Sequence, residues 1–345
     1  MTLADAFLCQ ARSCEALGSP FMAQLLRLLA RDWPEESNLG RTCTNWPDND
    51  LGPDGASLPL RIAGGLHALV LTERSAELAA TYPPNTTDKN LLSTTVLAAL
   101  DEHESFLLDW IQNPPQTNEV RRCAPLIATG HWLAGRFDLP FVVSELGASA
   151  GLNLNWDQFA LKTDTGTLGP TKACVILNPE WTGTIPAHKE LTVADRRGVD
   201  LNPLDSRNKD HTLRLLAYLW PDQPHRKTLT RAAIAAQAAT VDQGDAIEWL
   251  ERRLQKIPYG HIHLIYHTIA WQYFPTEVAK RGAEVIEAEG ARATLGNPLA
   301  WLAMESDGSP DGAALILRLW PGNQTFLLGR VDFHGRWVRW VGPAR

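Results

Sequence analysis

The chain lacks three things that would each point to a partner. No apolar run approaches the roughly 18 residues of a membrane span, so no membrane partner is expected. Positive charge is not in surplus: 32 Lys and Arg stand against 39 Asp and Glu, for a net charge of -7. Tight, sequence-independent binding to a nucleic-acid backbone is therefore not expected. Cysteine is sparse and unpaired: Cys9, Cys14, Cys43, Cys123 and Cys174 are odd in number and form no C-x-x-C. That pattern suits reduced, mostly buried thiols rather than a disulfide framework. The first residues, "MTLADAFLCQARSCEA", show no basic segment followed by an apolar one, so a signal peptide is not expected and a cytoplasmic location is. Internal repeats and low-complexity tracts are also missing. What is there is a globular composition, 44% hydrophobic and 21% charged, over 345 residues, more than a single average domain.

Two grammars divide the chain. Residues 1–138 read as a helical cap region. "ADAFLCQARSCEAL", "PFMAQLLRLLARDW", "RIAGGLHALVLTERSAELAA" and "LLSTTVLAALDEHESFLLDWIQ" space their apolar residues by three and four. "WPDNDLGPDGASLP" and "TYPPNTTDKN" interrupt them with turn formers. From residue 139 short valine-rich runs alternate with helical ones, which predicts an α/β domain over 139–345. "LPFVVSEL" suits a buried parallel strand. "KACVILNPEW", "VDLNPLD", "ATVDQ" and "HIHLIYHT" are further strand candidates. "PLAWLAME", "AALILRLW", "TFLLGRVDF" and "WVRWVG" form a closing meander that would add antiparallel strands.

The first strand runs into "ELGASAG", the pattern E-x-G-x-S-x-G. In an open parallel sheet, ligands sit beyond the carboxyl ends of the strands. Gly147 and Gly151 allow positive φ and a close approach of backbone to ligand. Glu145 at the strand end suits a cofactor with positive charge or ribose hydroxyls, and suits a pyrophosphate badly. Neither G-x-G-x-x-G nor Gly-Lys-Ser/Thr is present.

Glu145, Gly147, Ala148, Ser149 and Gly151 resemble the first motif of class I S-adenosylmethionine-dependent methyltransferases, with Ser149 in place of the middle glycine. The resemblance implies S-adenosylmethionine as cofactor, its amino-acid end near Glu145 above the glycine turn. It implies an acid on the ribose at the end of the second strand, here Asp200 with Asp205 second. Asp200 lies 55 residues after Glu145, against a usual gap of about 20, so an insertion is expected between them. Gly244, Asp245 and Ala246 match the turn that touches adenine, and Asp245 is equally a helix N-cap. His267, Thr268, Trp271, Gln272 and Tyr273 match the fourth strand tip facing the acceptor. His267 and Tyr273 are the catalytic candidates; Thr268, Trp271 and Gln272 would bind a small-molecule substrate. Neither an acceptor nor an oligomeric state is read from the residues.

Taken together, "PQTNEVRR", "ELGASAGLNLNWD", "RRGVDLNPLD", "YLWPDQ" and "IYHTIAWQYFP" resemble an uncharacterised bacterial family, domain of unknown function 2332. That resemblance implies a Rossmann-like, methyltransferase-type, mostly parallel sheet behind an all-helical region. The terminal meander leaves no room for a late helix, so the far sheet edge is expected to be rebuilt.

Three rivals stand beside this reading. "GASAG" formally matches the nucleophile elbow of a serine hydrolase, with Ser149 as nucleophile and Asp245 or Asp307 with His334 as partners. A non-enzymatic or nucleoside-binding protein on the same fold is the second. It is distinguished by whether the turn at 147–151 is open or filled by Trp156 or another side chain. Metal binding through His261, His263 and His267 is the third, disfavoured because no cysteine or acid accompanies them. The thirteen tryptophans are read as core and cleft aromatics, and Arg121 and Arg122 as a solvated helix face.

Overall fold

Most helix starts in the first hundred residues are set by side chains that satisfy free backbone N–H groups. Thr2 and Asp5 form a capping box ahead of α1 (Leu3–Ala16). Ser19 caps α2 (Pro20–Asp32), where proline takes a first-turn position. Ser37 caps α3 (Asn38–Thr44). The run expected to continue from α4 (Leu58–Leu71) breaks there. Glu73 takes a φ of 56°, and Ser75 caps a separate α5 (Ala76–Thr81). Asp88 then caps α6 (Lys89–Glu102), and α7 is Glu104–Trp110. The computed structural model describes residues 1–48, 50–52, 55–255 and 258–343.

The chain divides into two compact units, Met1–Thr117 with Arg207–Thr228, and Asn118–Ser206 with Leu229–Arg345. The helical unit is built on a leucine-rich core in which α4 is almost wholly buried. Gly64 lets Tyr218 pack against α4; a Cβ there would stand 2.4 Å from the tyrosine ring. The first segment of the helical unit ends at Thr117. Helix α8 (Cys123–Phe137) belongs to the second unit. The later helix α9 (Lys209–Ala217) belongs to the first.

The second unit is α/β. Its strands are β1 (Phe141–Leu146), β2 (Ala160–Thr163), β3 (Gly166–Leu168), β4 (Ile176–Leu177), β5 (Glu180–Thr182) and β6 (Val193–Asp200). Helix α10 (Pro224–Ala236) carries the chain across the unit boundary to β7 (Thr240–Gln243) and α11 (Ala246–Leu254). Strand β8 (Ile262–Thr268), α12 (Thr276–Gly290), β9 (Leu299–Glu305), β10 (Ala313–Trp320), β11 (Gln324–Val331) and β12 (Trp337–Trp340) follow. Among the described residues the main sheet has the order β5-β12-β11-β10-β9-β8-β1-β6-β7. Pairing is parallel from β7 through β6, β1 and β8 to β9, and antiparallel from β9 to β12. The far edge is the expected meander, closed by the short parallel strand β5.

The first strand is fully buried and lies between β6 and β8. The order of succession reverses there, and such a switch point opens a crevice beyond the carboxyl ends. Side chains alternate between the faces. Leu146, Val199 and Ile265 face α11 and α12. Phe141 and Glu145 face the other way, toward a 3-10 segment, Leu152–Gln158. That segment follows the glycine turn directly, with Gly151 at its start. The expected insertion is present: β2, β3 and β4 form a small separate sheet before β6 begins. The strand expected at "VDLNPLD" starts earlier, at Val193, and ends on Asp200.

Candidate functional site at the carboxyl ends of the parallel strands

The glycine turn is left-handed at three alternate residues: φ is 72° at Gly147, 53° at Ser149 and 70° at Gly151. The N–H groups of Gly147 and Ala148 donate to the Val199 carbonyl at 2.9 and 3.0 Å, tying the turn to β6. Both glycines make room for this chain's own atoms. A Cβ on Gly147 would lie 2.6 Å from that of Ala270, and one on Gly151 would lie 2.6 Å from the Gln237 amide. Gln237 donates to the Ala150 carbonyl at 2.6 Å and accepts from Asn155 at 2.7 Å. Trp156 stays away from the turn, packed edge-on to Phe141 and against Gly130. Ser149 holds a conformation that L-residues avoid, and its buried hydroxyl has no hydrogen-bond partner among the described residues.

Asp200 organises the neighbouring tips. Its carboxylate accepts from the Ser149 N–H at 2.8 Å and the Asn202 N–H at 2.9 Å. Its carbonyl accepts from the Gly244 N–H at 3.0 Å. Asp245 caps α11, accepting from the N–H groups of Ile247 and Glu248 at 2.9 Å each, and Ala246 is the first helical residue. Among the described residues nothing lies within 4 Å of a Cβ built on Gly244. The structure thus gathers Gly147, Ala148, Ser149, Gly151, Asp200, Asp245 and Ala246 at the ends of β1, β6 and β7. An open approach at Gly244 and an unpartnered hydroxyl at Ser149 are the features that fit a polar, nucleoside-bearing ligand there.

Glu145 is part of the same tip but only 2% exposed. Tyr266, its register partner on β8, donates to Glu145 Oε2 at 3.2 Å and lies 3.0 Å from the Asn153 carbonyl. Burial holds the Glu145 carboxyl well above the usual range; the tyrosine hydrogen bond opposes this, Asp200 adds to it and Arg122 opposes it. Arg122 donates to the carbonyls of Phe333 and Thr268 at 2.9 and 3.0 Å. Asn118 accepts from the Leu152 N–H at 2.9 Å, and Cys123 Sγ lies 3.2 Å from the Asn153 amide oxygen. The "TNEVRR" segment therefore docks onto "GLNLN". Arg121 and Arg122 are each 9% exposed, so they are interior cations and not a solvated helix face; Arg121 pairs with Glu119 at 3.0 Å.

The acceptor-side candidates separate across the sheet. Thr268 shares the Glu145 face by strand parity, whereas His267 points to the α12 face. His267 is 1% exposed, stacked on Trp271, with Nδ1 2.7 Å from Glu305 Oε1. Its Nε2 accepts from the Trp301 indole at 2.9 Å, so the proton sits on Nδ1. Glu305 Oε1 also accepts from the N–H groups of Ala270 and Trp271. These bonds hold the turn after β8, where Ile269 takes a φ of 53°. Gln272 accepts from the Ser306 N–H, and Tyr273 is 58% exposed. Sequence reasoning missed Glu305, Tyr266 and Asn153. Glu305 is a lone acid closing an apolar strand, Tyr266 reads as strand core, and only the cluster "GLNLN" hinted at Asn153.

The rival chemistries find less here. Among the described residues no imidazole bonds to the Ser149 hydroxyl, and Asp307 is engaged by Arg330 at 2.7 Å. His263 pairs with Ser144 at 2.8 Å, and His261 Nδ1 lies against the Tyr259 carbonyl. Among the described residues no group of three or more His, Cys, Asp or Glu is placed to hold a metal ion.

A family model described as an uncharacterized protein conserved in bacteria, domain of unknown function 2332, matches residues 4–340. The chain belongs to that family. No curated protein and no solved structure matches it.

Proposed function

Taking that family membership as the premise, we propose that the chain binds S-adenosylmethionine at the carboxyl ends of β1, β6 and β7 and transfers its methyl group to a small or medium-sized acceptor. One observation carries the reading. Asp200 ties the three tips together through Ser149 and Gly244, beside an open approach and an unpartnered buried hydroxyl. Asp200 and the Gly244–Ala246 turn would hold the nucleoside, with Ser149 and Glu145 toward the amino-acid end. When bound, the cofactor supplies an already activated methyl group on a sulfonium. The chain's own task is to orient the reactants and exclude water.

A non-enzymatic nucleoside-binding protein is the second reading. It is favoured by the side chains of Ala270 and Gln237, which lie against the glycines of the turn, and by the engagement of both His267 nitrogens on the far face of the sheet. Thermal unfolding with and without millimolar S-adenosylmethionine tests the shared binding site. A rise in Tm that Asp200→Ala abolishes supports the site, and no rise in the wild type removes it. Methyl transfer from labelled cofactor to a small-molecule extract, lost in Asp200→Ala, separates the enzyme from the binder.

A further inference from the structure

Glu145 is the one acid of the site withdrawn from solvent. Among the described residues its side chain takes a single hydrogen bond, from Tyr266, and forms no ion pair with lysine or arginine. A buried carboxylate without a cation bonded to it is costly, and the group relieves that cost by holding its proton. The groups that face it come from every element around it. Tyr266 stands on β8 and Asp200 at the end of β6. Arg122 lies in the short 3-10 turn before α8, and Cys123 begins α8. From Leu152–Gln158 comes the Asn153 carbonyl. Arg122 is committed to the Phe333 and Thr268 carbonyls, and Asp200 is a second negative group.

We propose that this site takes up a cationic group of its ligand against Glu145 in exchange for one proton, so that binding and deprotonation of Glu145 are one event. The proposal rests on the cofactor reading above and deepens it. A ligand that carries ammonium and sulfonium charge supplies the counter-ion that the fold withholds. The released proton passes to the buffer, and the bound state is a carboxylate paired with a cation. A neutral nucleoside lacks that partner and would leave the proton in place. Binding of the cation therefore tightens as pH rises, by up to tenfold per unit while the free site remains protonated.

The test is titration calorimetry of the full chain with S-adenosylmethionine, in phosphate and in Tris, for the wild type and Glu145→Gln. The buffers differ in ionisation enthalpy, so the change in apparent heat counts protons. The difference between the two proteins separates Glu145 from ionisations on the ligand. The wild type should release about one proton more than the variant. Equal counts in two proteins that both bind would overturn the exchange and leave the cofactor reading standing. No binding by folded wild type would overturn both. Where Glu145→Gln does not fold or bind, the infrared difference spectrum of the wild type decides. Loss of a protonated-carboxyl band on ligand addition supports the exchange, and an unchanged band refutes it.

Discussion

Truncating Glu305 should loosen the far side of the glycine turn from a distance. Its Oε1 accepts from His267 Nδ1 at 2.7 Å, Ala270 N at 3.0 Å and Trp271 N at 3.1 Å. Its side chain is 15% exposed, so water replaces little of what is lost. Glu305→Ala strands three donors, each costing about 1–3 kcal/mol. Neighbouring losses are not additive. Relaxing Ile269, whose φ of 53° stores about 1–3 kcal/mol, returns part. The net destabilisation should be about 2–4 kcal/mol. Glu305→Gln keeps a carbonyl acceptor and should lose about half as much. Urea unfolding followed by tryptophan fluorescence measures both, because Trp271 and Trp301 flank His267. A loss below about 1 kcal/mol for the alanine variant, or equal losses for the two, would refute this role for Glu305.

Other substitutions probe the turn itself. Gly147→Ala combines left-handed strain with a 2.6 Å approach to Ala270 and should destabilise by about 2–4 kcal/mol in denaturant melts; adding Ala270→Gly should recover part of it. Ser149→Gly should stabilise by about 1 kcal/mol, because it removes both the strained φ and an unpartnered buried hydroxyl. Asp200→Ala frees the Ser149 and Asn202 N–H groups, so their amide hydrogen exchange should accelerate while the strand cores stay protected. Stability against pH tests Glu145: its folded pKa is raised, so its contribution is full below the unfolded value of about 4.3 and is lost as pH rises toward the folded one. The stability of wild type relative to Glu145→Gln should therefore fall by about 1.4 kcal/mol per pH unit above about pH 4.3, and a flat difference between pH 5 and 7 would contradict it.

The α/β architecture was legible because strands and helices have different periods, and "FVVSEL" or "HLIYHT" cannot be read as amphipathic helices. The rebuilt edge followed from the lack of a helix-length segment between the last strands. Unit membership was less legible. Helix α8 has the same apolar spacing as the cap helices, and only packing assigns it to the sheet unit. The glycine turn was found by pattern, but its glycines accommodate Ala270 and Gln237, residues more than eighty positions away in sequence. Arg121 and Arg122 looked like surface because charge normally stays wet. Arg122 is held by the distant carbonyls of Phe333 and Thr268, which no local pattern displays, while Arg121 pairs with Glu119 two residues before it. His267 was placed near the acceptor by its match to the fourth strand tip; strand parity, which the sequence reading did not apply to it, puts it on the face covered by α12.

Calorimetric titration of S-adenosylhomocysteine into wild type and Asp200→Ala, side by side, is the most direct test of the central claim. It needs no acceptor and no turnover. Saturable binding at one site per chain is expected, weakened about tenfold or more (at least about 1.4 kcal/mol) by the substitution. No heat from folded wild type at millimolar ligand, or identical isotherms for the two proteins, would contradict it.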